Sequence, residues 1–315
     1  MQNAHTNADL KQMQSLPLSA KIVMSQRRIR DWYDHWDGQV YLSFSGGKDS
    51  TVLRHLIATT SGVYDVPSVF VDTGLEYPEV RRFATERADA VLRPEMRFDE
   101  VIKTYGYPVA SKEVSKKIYE LRNYNLTEKY RDELLNGSNG RKRRKIPEKW
   151  KILIDAPFPV SNKCCDVMKK NPVKKYERET GRKPILGMMA SESALRLQRW
   201  VRYGCNAFDD KKRPTSNPLS FWTEQDVLRY LKENNLEYAS VYGDIEVDEN
   251  GNLYTTKCDR TGCMFCMYGC HLDLGENRFQ RMKQTHPRQY DYCMKPVEEK
   301  GLGLAKVLDY IGVKH

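Results

Sequence analysis

Two sets of residues in this sequence are of the kind that does chemistry. The first is Ser45-Gly46-Gly47-Lys48-Asp49-Ser50. Gly46 and Gly47 lack a Cβ, so the backbone there can take positive φ and bring its N–H groups close to an anion. Lys48 adds a full positive charge. Asp49 and Ser50 are types that hold Mg2+ or cap a helix. The spacing differs from G-x-x-x-x-G-K-[ST], so this is not the phosphate loop of that class. The second set is cysteine. Six of the eight fall in two clusters: Cys164-Cys165, and Cys258, Cys263, Cys266 and Cys270, with His271 beside them. In a reducing compartment, clustered cysteines are more often metal or redox ligands than disulfides. Cys263-x-x-Cys266 puts two thiolates on one tight turn, a usual edge of a zinc or Fe–S centre. The tail also holds enough ligands to close a zinc site by itself, from Cys258, Cys263, Cys266, Cys270 and His271. Cys205 and Cys293 stand alone and read as small buried apolar residues.

The elements around the first set explain how it would be positioned. Val40 to Phe44 alternates as a strand, the glycine turn follows, and Val52, Leu53 and Leu56 open a helical pattern. Strand, glycine turn and helix is how a backbone bends around a phosphate, with the helix contributing its positive end. Residues 7 to 37 read as helical before it. After it come a strand at Ser68 to Val71 and a helix from Pro78. A strand around Val91-Leu92, helices near Asp99 to Tyr105 and over 111 to 135, a strand at Ile185 to Gly187 and a helix at Glu224 to Asn234 complete the pattern. Strands separated by helices predict an α/β, doubly wound and mainly parallel sheet with a C-terminal cysteine-rich extension. The expected division is an N-terminal helical segment (1–38), a nucleotide-binding α/β domain (39–242) with a basic insertion (136–150), and a cysteine-rich basic extension (243–315) that opens with a hairpin turning at Asn250-Gly251.

The bulk numbers narrow the class. The chain has 315 residues, 40% apolar and 30% charged, with net charge +10. No apolar run approaches the roughly 18 residues of a membrane helix. The first residues carry neither a basic nor an apolar signal region, so a cytoplasmic location is expected. The basic balance points to a polyanionic partner. Two stretches sharpen that: Arg141-Lys142-Arg143-Arg144-Lys145, and 278–292, where cations interleave with Phe279, Tyr290 and Tyr292. Cations with aromatics suit a nucleic-acid backbone with exposed bases.

S-G-G-K-D-S after a first strand resembles the pyrophosphatase loop of the adenine-nucleotide α-hydrolase group. Further stretches resemble the phosphoadenylyl-sulfate (PAPS) reductase family: "VDTGLEYPEV" (71–80), "YGYPVASKEVSKKI" (105–118), "SESALR" (191–196) and "NPLSFWTEQDVLRYLKENNL" (217–236). The likeness runs from about residue 39 to 270. It implies ATP, or a sulfated adenosine nucleotide, with Mg2+, bound by Ser45, Gly46, Gly47, Lys48, Asp49, Ser50, Asp72, Thr73 and Gly187. The adjacent pair in "NKCC" and the second pair in "TGCMFC" resemble the ligand set of the [4Fe–4S] adenylyl-sulfate reductases. That likeness implies Cys164, Cys165, Cys263 and Cys266 as iron ligands, with zinc as the competing metal.

The likeness also breaks. Sulfonucleotide reductases attack with a cysteine near their C-terminus, and this chain has none after Cys293. Their arginine pair in G-[LI]-R-R-x-Q-S is replaced here by Met189 and Ala190. The expected activity is therefore that of the sulfur-inserting branch: adenylation of an oxygen by ATP with release of pyrophosphate, then displacement of AMP by sulfur. The acceptor is expected to be DNA or tRNA, and the donor a cysteine desulfurase. Lys48 and Asp49 are the expected catalytic groups, Cys270 the candidate sulfur carrier, and a homodimer the expected assembly. The competing readings are a divergent reductase that uses Cys258, Cys270 or Cys293 with thioredoxin, and a non-catalytic nucleotide or redox sensor.

Overall fold

The computed structural model describes residues 4–137, 145–211 and 213–315; Arg141–Arg144 of the basic run lie outside them. The described chain divides into two compact units, each built from separated stretches. The first is Met1–Asp72, Glu76–Arg93 and Val173–Thr261; the second is Thr73–Leu75, Pro94–Pro172 and Gly262–His315. No unit border falls at the expected boundary, 242/243. The hairpin after it stays with the first unit, while the cysteine tail joins the stretch that carries Cys164 and Cys165. The pairing responsible is non-local and leaves no mark on a linear reading.

The first unit is the doubly wound one. Its strands are β1 (Val40–Ser43), β2 (Ser68–Val71), β3 (Ala90–Leu92), β5 (Lys183–Leu186), β6 (Asn206–Ala207) and β7 (Thr215–Ser216), with β4 in the second unit. They lie in the order β3-β2-β1-β5-β7-β6, all parallel except β6. Val40, Tyr41 and Leu42 are consecutive and all buried, as a strand covered on both faces requires. The sheet runs outward from β1 through β2 and β3, and from β5 in the opposite direction. That reversal opens a crevice beyond the carboxyl ends of β1 and β5. Their register, Val40 opposite Lys183 through Ser43 opposite Leu186, brings the turn after β1 beside the turn after β5. Covering helices include Leu18–His35, which buries Ile29 and Trp32, and Lys48–Thr59, which buries Val52, Leu53 and Leu56. The helical stretch expected over 7–37 is interrupted by Ser15–Pro17, where proline cannot continue a helix. The hairpin β8 (Ile245–Val247) and β9 (Leu253–Thr255) turns through Gly251 at φ +80° as expected.

The second unit hangs on one extended stretch. β4 (Val109–Ala110) pairs in parallel with β10 (Met267–Tyr268). Just before β4, Tyr107 pairs with Val160, and the Ser161 N–H donates to the Tyr107 carbonyl at 2.9 Å. Helix Lys112–Asn123 packs on β4, and helices Arg278–Thr285, Pro287–Met294 and Leu304–Tyr310 pack in sequence against one another. Phe279 and Tyr290 sit in this unit's core, and Arg278 is committed to Asp273 at 2.9 Å. The reading of 278–292 as cations with available aromatics is thereby corrected. Phe279 and Met282 share the buried face of an amphipathic helix, and Tyr292 alone of the three aromatics stays exposed.

Candidate functional site

The glycine turn opens at the switch point of the first unit. Gly46 has φ +74°, and a Cβ there would lie 2.8 Å from the Ala84 Cβ and 3.0 Å from the Val80 carbonyl oxygen. Gly47 caps the helix Lys48–Thr59 with no side chain of its own, leaving the first-turn N–H groups facing outward. Gly187, just past β5, packs against the start of that helix; its Cβ would stand 3.2 Å from the Asp49 carbonyl and the Ser50 nitrogen. Gly187 thus sets how closely the two turns approach. Ser50 donates to the Gly47 carbonyl at 2.9 Å and sits 3.1 Å from the Ser45 hydroxyl, which stiffens the turn from inside.

Around the turn is a cavity of about 340 Å³ lined by Ser45, Gly47, Lys48, Asp49, Met189, Glu192, Ser193, Arg196, Glu224, Tyr242, Asp259, Arg260 and Thr261. Lys48 is buried, its ammonium 3.1 Å from Glu224 and 5.2 Å from the centre of the Tyr242 ring. Tyr242 donates to or accepts from Thr261 at 2.6 Å, and burial pushes its hydroxyl up to about 12. Burial raises the Asp49 carboxyl above the usual carboxylate range, against the pull of Lys48, Arg260 and Arg196. Glu192 accepts from the Met189 N–H at 2.9 Å and pairs with both Arg196 and Arg260. Met189 and Ala190, the residues at the arginine positions of the reductase pattern, are buried, yet the cavity is not short of cations. Arg196 enters from the helix Ala194–Tyr203, capped by Ser193, and Arg260 from the segment leading to Cys263. Neither arginine was singled out from the sequence, although Arg196 stands inside the quoted "SESALR".

Asp72 lies at the end of β2, buried, and takes a bidentate pair from Arg81 at 2.7 and 2.8 Å with Arg93 at 3.8 Å. Thr73 belongs to the second unit, where its hydroxyl accepts from the Leu75 N–H at 3.2 Å.

The second unit gathers Cys164, Cys165, Cys263, Cys266, Cys270 and Cys293, while Cys205 and Cys258 belong to the first. One side of the 107–110 stretch holds 160–161, three residues before Cys164; the other holds β10, which begins one residue after Cys266. Cys263 and Cys266 close a tight turn, N–H to carbonyl 3.1 Å, and the Met264 N–H between them donates to Leu75. Cys164 and Cys165 open a helix whose next turn, Asp166–Lys170, is π-helical, a form that gathers at functional sites. Their sulfurs are 3.9 Å apart. The hydrogen bond to Cys165, burial and the thiols of Cys266 and Cys263 hold the Cys164 thiol protonated, while that hydrogen bond, Lys112 and Lys169 bring Cys165 down to about 6. Cys266 in turn feels Cys263 and Cys165, and burial pushes it up to about 11. Cys270 is buried and likewise up at about 11, and beyond burial its state is set by Arg278 and Asp273. A thiol so raised is protonated at neutral pH and a poor nucleophile. Cys205 and Cys293 are buried, as expected of apolar fillers.

Among the described residues, no group of three or more His, Cys, Asp or Glu side chains stands at the spacing of one bound metal ion. A single zinc needs every sulfur about 2.3 Å from a common centre. Cys164, Cys165, Cys263 and Cys266 feel one another's charge within the second unit without forming such a group.

The first unit is thus a doubly wound α/β domain with a charged cavity at its switch point. Residues 39–136 and 110–268 match the phosphoadenosine phosphosulfate reductase domain, and the chain belongs to that family. Among solved structures, the PAPS reductase of Candida auris in complex with phosphate is similar at 15% identity with a TM-score of 0.40. The match covers 80% of this chain and all of that one. No curated protein matches. Among the described residues no helix is long and apolar enough to cross a membrane.

Proposed function

We propose that the protein is an ATP-dependent sulfur-transfer enzyme that adenylates an oxygen of a nucleic acid, releases pyrophosphate, and carries a [4Fe–4S] cluster on Cys164, Cys165, Cys263 and Cys266. The observation that carries this reading is the acidic half of the cavity. Lys48, Arg196 and Arg260 are matched there by Glu224, Glu192, Asp49 and Asp259. A bare sulfonucleotide favours cations alone. A triphosphate that arrives with Mg2+ wants cations for its oxygens and carboxylates for its metal.

In this reading an acceptor oxygen attacks the α-phosphorus, the bond to the β-phosphate breaks, and its electron pair leaves on pyrophosphate. Lys48 and the N–H groups at the start of its helix stabilise the departing oxygens. Asp49 and Asp259 would hold the Mg2+. A sulfur nucleophile then displaces AMP from the activated acceptor. A bound [4Fe–4S] cluster supplies a site for holding sulfur or moving electrons. A polyanionic acceptor is supported by a collar of lysines in the second unit. Lys112 and Lys170 lie 3.7 and 2.8 Å from Asp166, and Lys163 stands 5.8 Å from the Tyr119 ring, which stacks edge-on with exposed Tyr124.

The test is isotope exchange between ATP and pyrophosphate by anaerobically purified protein, with and without tRNA or duplex DNA, alongside sulfite release from adenylyl-sulfate and PAPS. Exchange that depends on nucleic acid supports the reading. Sulfite release without exchange would establish the reductase instead.

A further inference from the structure

We propose that Arg196 and Arg260 form a second anion pole in the cavity, distinct from the Lys48 pole, and that Glu192 is a built-in placeholder occupying it when no phosphate is bound. The proposal deepens the reading above, since it rests on a polyphosphate entering this cavity.

The geometry is that of a substituted ligand. Glu192 is largely buried, its side chain 13% exposed, whereas Arg196 and Arg260 are 38% and 62% exposed. The two guanidinium groups therefore reach inward from opposite supports to one carboxylate. Arg196 comes from the first turn of the helix Ala194–Tyr203, and Arg260 from the segment after the hairpin. Two like charges are drawn to one carboxylate, with Asp49 as a further acidic neighbour of both, at a site that faces open cavity. Burial and the neighbouring Arg260 both push Arg196 below the ordinary arginine range. A phosphate, with more negative charge and several pairs of oxygens for bidentate bonding, satisfies that pair better than one carboxylate. The Lys48 pole has the same plan, with Glu224 as its carboxylate. Glu192 differs in being tied down: its Oε2 also accepts from the Met189 N–H at 2.9 Å, so the backbone holds it at the pole. The placeholder has two effects. It keeps two arginines from repelling each other in the empty protein, and it sets a threshold that only a multiply charged ligand passes. The same construction explains how the chain dispenses with arginines at positions 189 and 190: the cations come from two other elements.

Titration calorimetry with MgATP tests this on the full-length protein, with melting midpoints of each variant as the control for folding. Arg196→Ala and Arg260→Ala should each weaken MgATP about tenfold or more, as loss of a charge-assisted hydrogen bond does. Glu192→Gln should tighten it about threefold or more, because a neutral amide competes poorly for the arginines. The opposite signs are the signature. A merely structural Glu192 would make the Gln variant bind more weakly, and that result in a folded variant overturns the placeholder. If Glu192→Gln does not fold, Glu192→Asp, which cannot reach both arginines, is read in the same way. Arginine variants that bind MgATP as the wild type does, while Lys48→Ala abolishes binding, overturn the second pole alone. Failure of both wild type and Glu192→Gln to bind MgATP overturns the pole together with the reading it rests on.

Discussion

Gly46 and Gly47 are adjacent, but replacing each with alanine should fail for different reasons. At Gly46 the backbone has φ +74°, and a Cβ would fall 2.8 Å from the Ala84 Cβ and 3.0 Å from the Val80 carbonyl oxygen. Left-handed backbone costs about 1–2 kcal/mol for a residue with a Cβ. Overpacking against a buried helix costs about 1–3 kcal/mol more. Gly46→Ala should therefore lose about 2–5 kcal/mol of stability, near 5–15 °C in melting midpoint for a domain of this size. Gly47 has φ −79°, and its added Cβ would meet only the ends of two side chains, the Tyr242 hydroxyl at 3.3 Å and the Ser45 hydroxyl at 3.4 Å. Gly47→Ala should stay within about 1 kcal/mol of wild type. It should nevertheless lose MgATP affinity, because the methyl stands where the N–H groups open onto the cavity. Calorimetric melting and nucleotide titration of both variants give the comparison. A Gly46→Ala protein that melts within about 2 °C of wild type would refute the reasoning that this glycine is there for the backbone.

Three more outcomes follow from the same geometry. Gly106 has φ +105°, and a Cβ there would lie 2.5 Å from the Pro159 carbonyl group; Gly106→Ala should part the stretches that carry the two cysteine pairs and lose bound iron and acid-labile sulfide with every cysteine in place. Cys164→Ser should lose the same iron; one zinc per chain, indifferent to that change, would move the metal to the tail. Burial raises the Asp49 carboxyl, so its ionised form opposes folding above the ordinary carboxylate pKa, while on acidification the proton is bound in both states and the penalty vanishes. Asp49→Asn should accordingly melt higher than wild type near neutral pH, lose that advantage below about pH 4, and bind MgATP more weakly; a melting curve unchanged across that range would show that the carboxylate carries no such penalty.

The doubly wound sheet was legible because its inner strands are runs of buried apolar residues bounded by turn signals. The expected strand at Ser68 to Val71 matches β2 residue for residue, and the helix from Pro78 begins where proline fits a first turn. Strands β4, β6, β7 and β10 have two residues each, too few to show a period. The helical stretch expected over 111–135 breaks at Tyr124–Thr127, where Thr127 caps a second helix. At the site, the glycine turn could be read because its chemistry is contiguous. Arg260, Glu192 and Glu224 could not, since they come from three other places in the chain and only the switch point makes them neighbours. That Cys164 and Cys165 share a unit with Cys263 and Cys266 was reachable only through resemblance, since nothing local in either pair announces the 107–110 stretch between their segments.

The divided construction of the second unit also has a consequence for synthesis. Roughly a hundred residues separate Cys165 from Cys263, and at about 5–20 residues per second the first cysteine pair waits on the order of 5–20 s for the second to be made. During that interval β4 has no β10, and both adjacent thiols stand open to oxidation or to a stray metal. The first unit is no better placed, because β5, the neighbour of β1, also follows the inserted stretch. Neither unit can close as its first residues emerge: the first waits for the stretch to Thr261 and the second for the stretch from Gly262. A nascent chain arrested before Gly262 should accordingly expose its second-unit residues, Cys164 and Cys165 among them, to protease and thiol reagents while the first unit has all of its stretches.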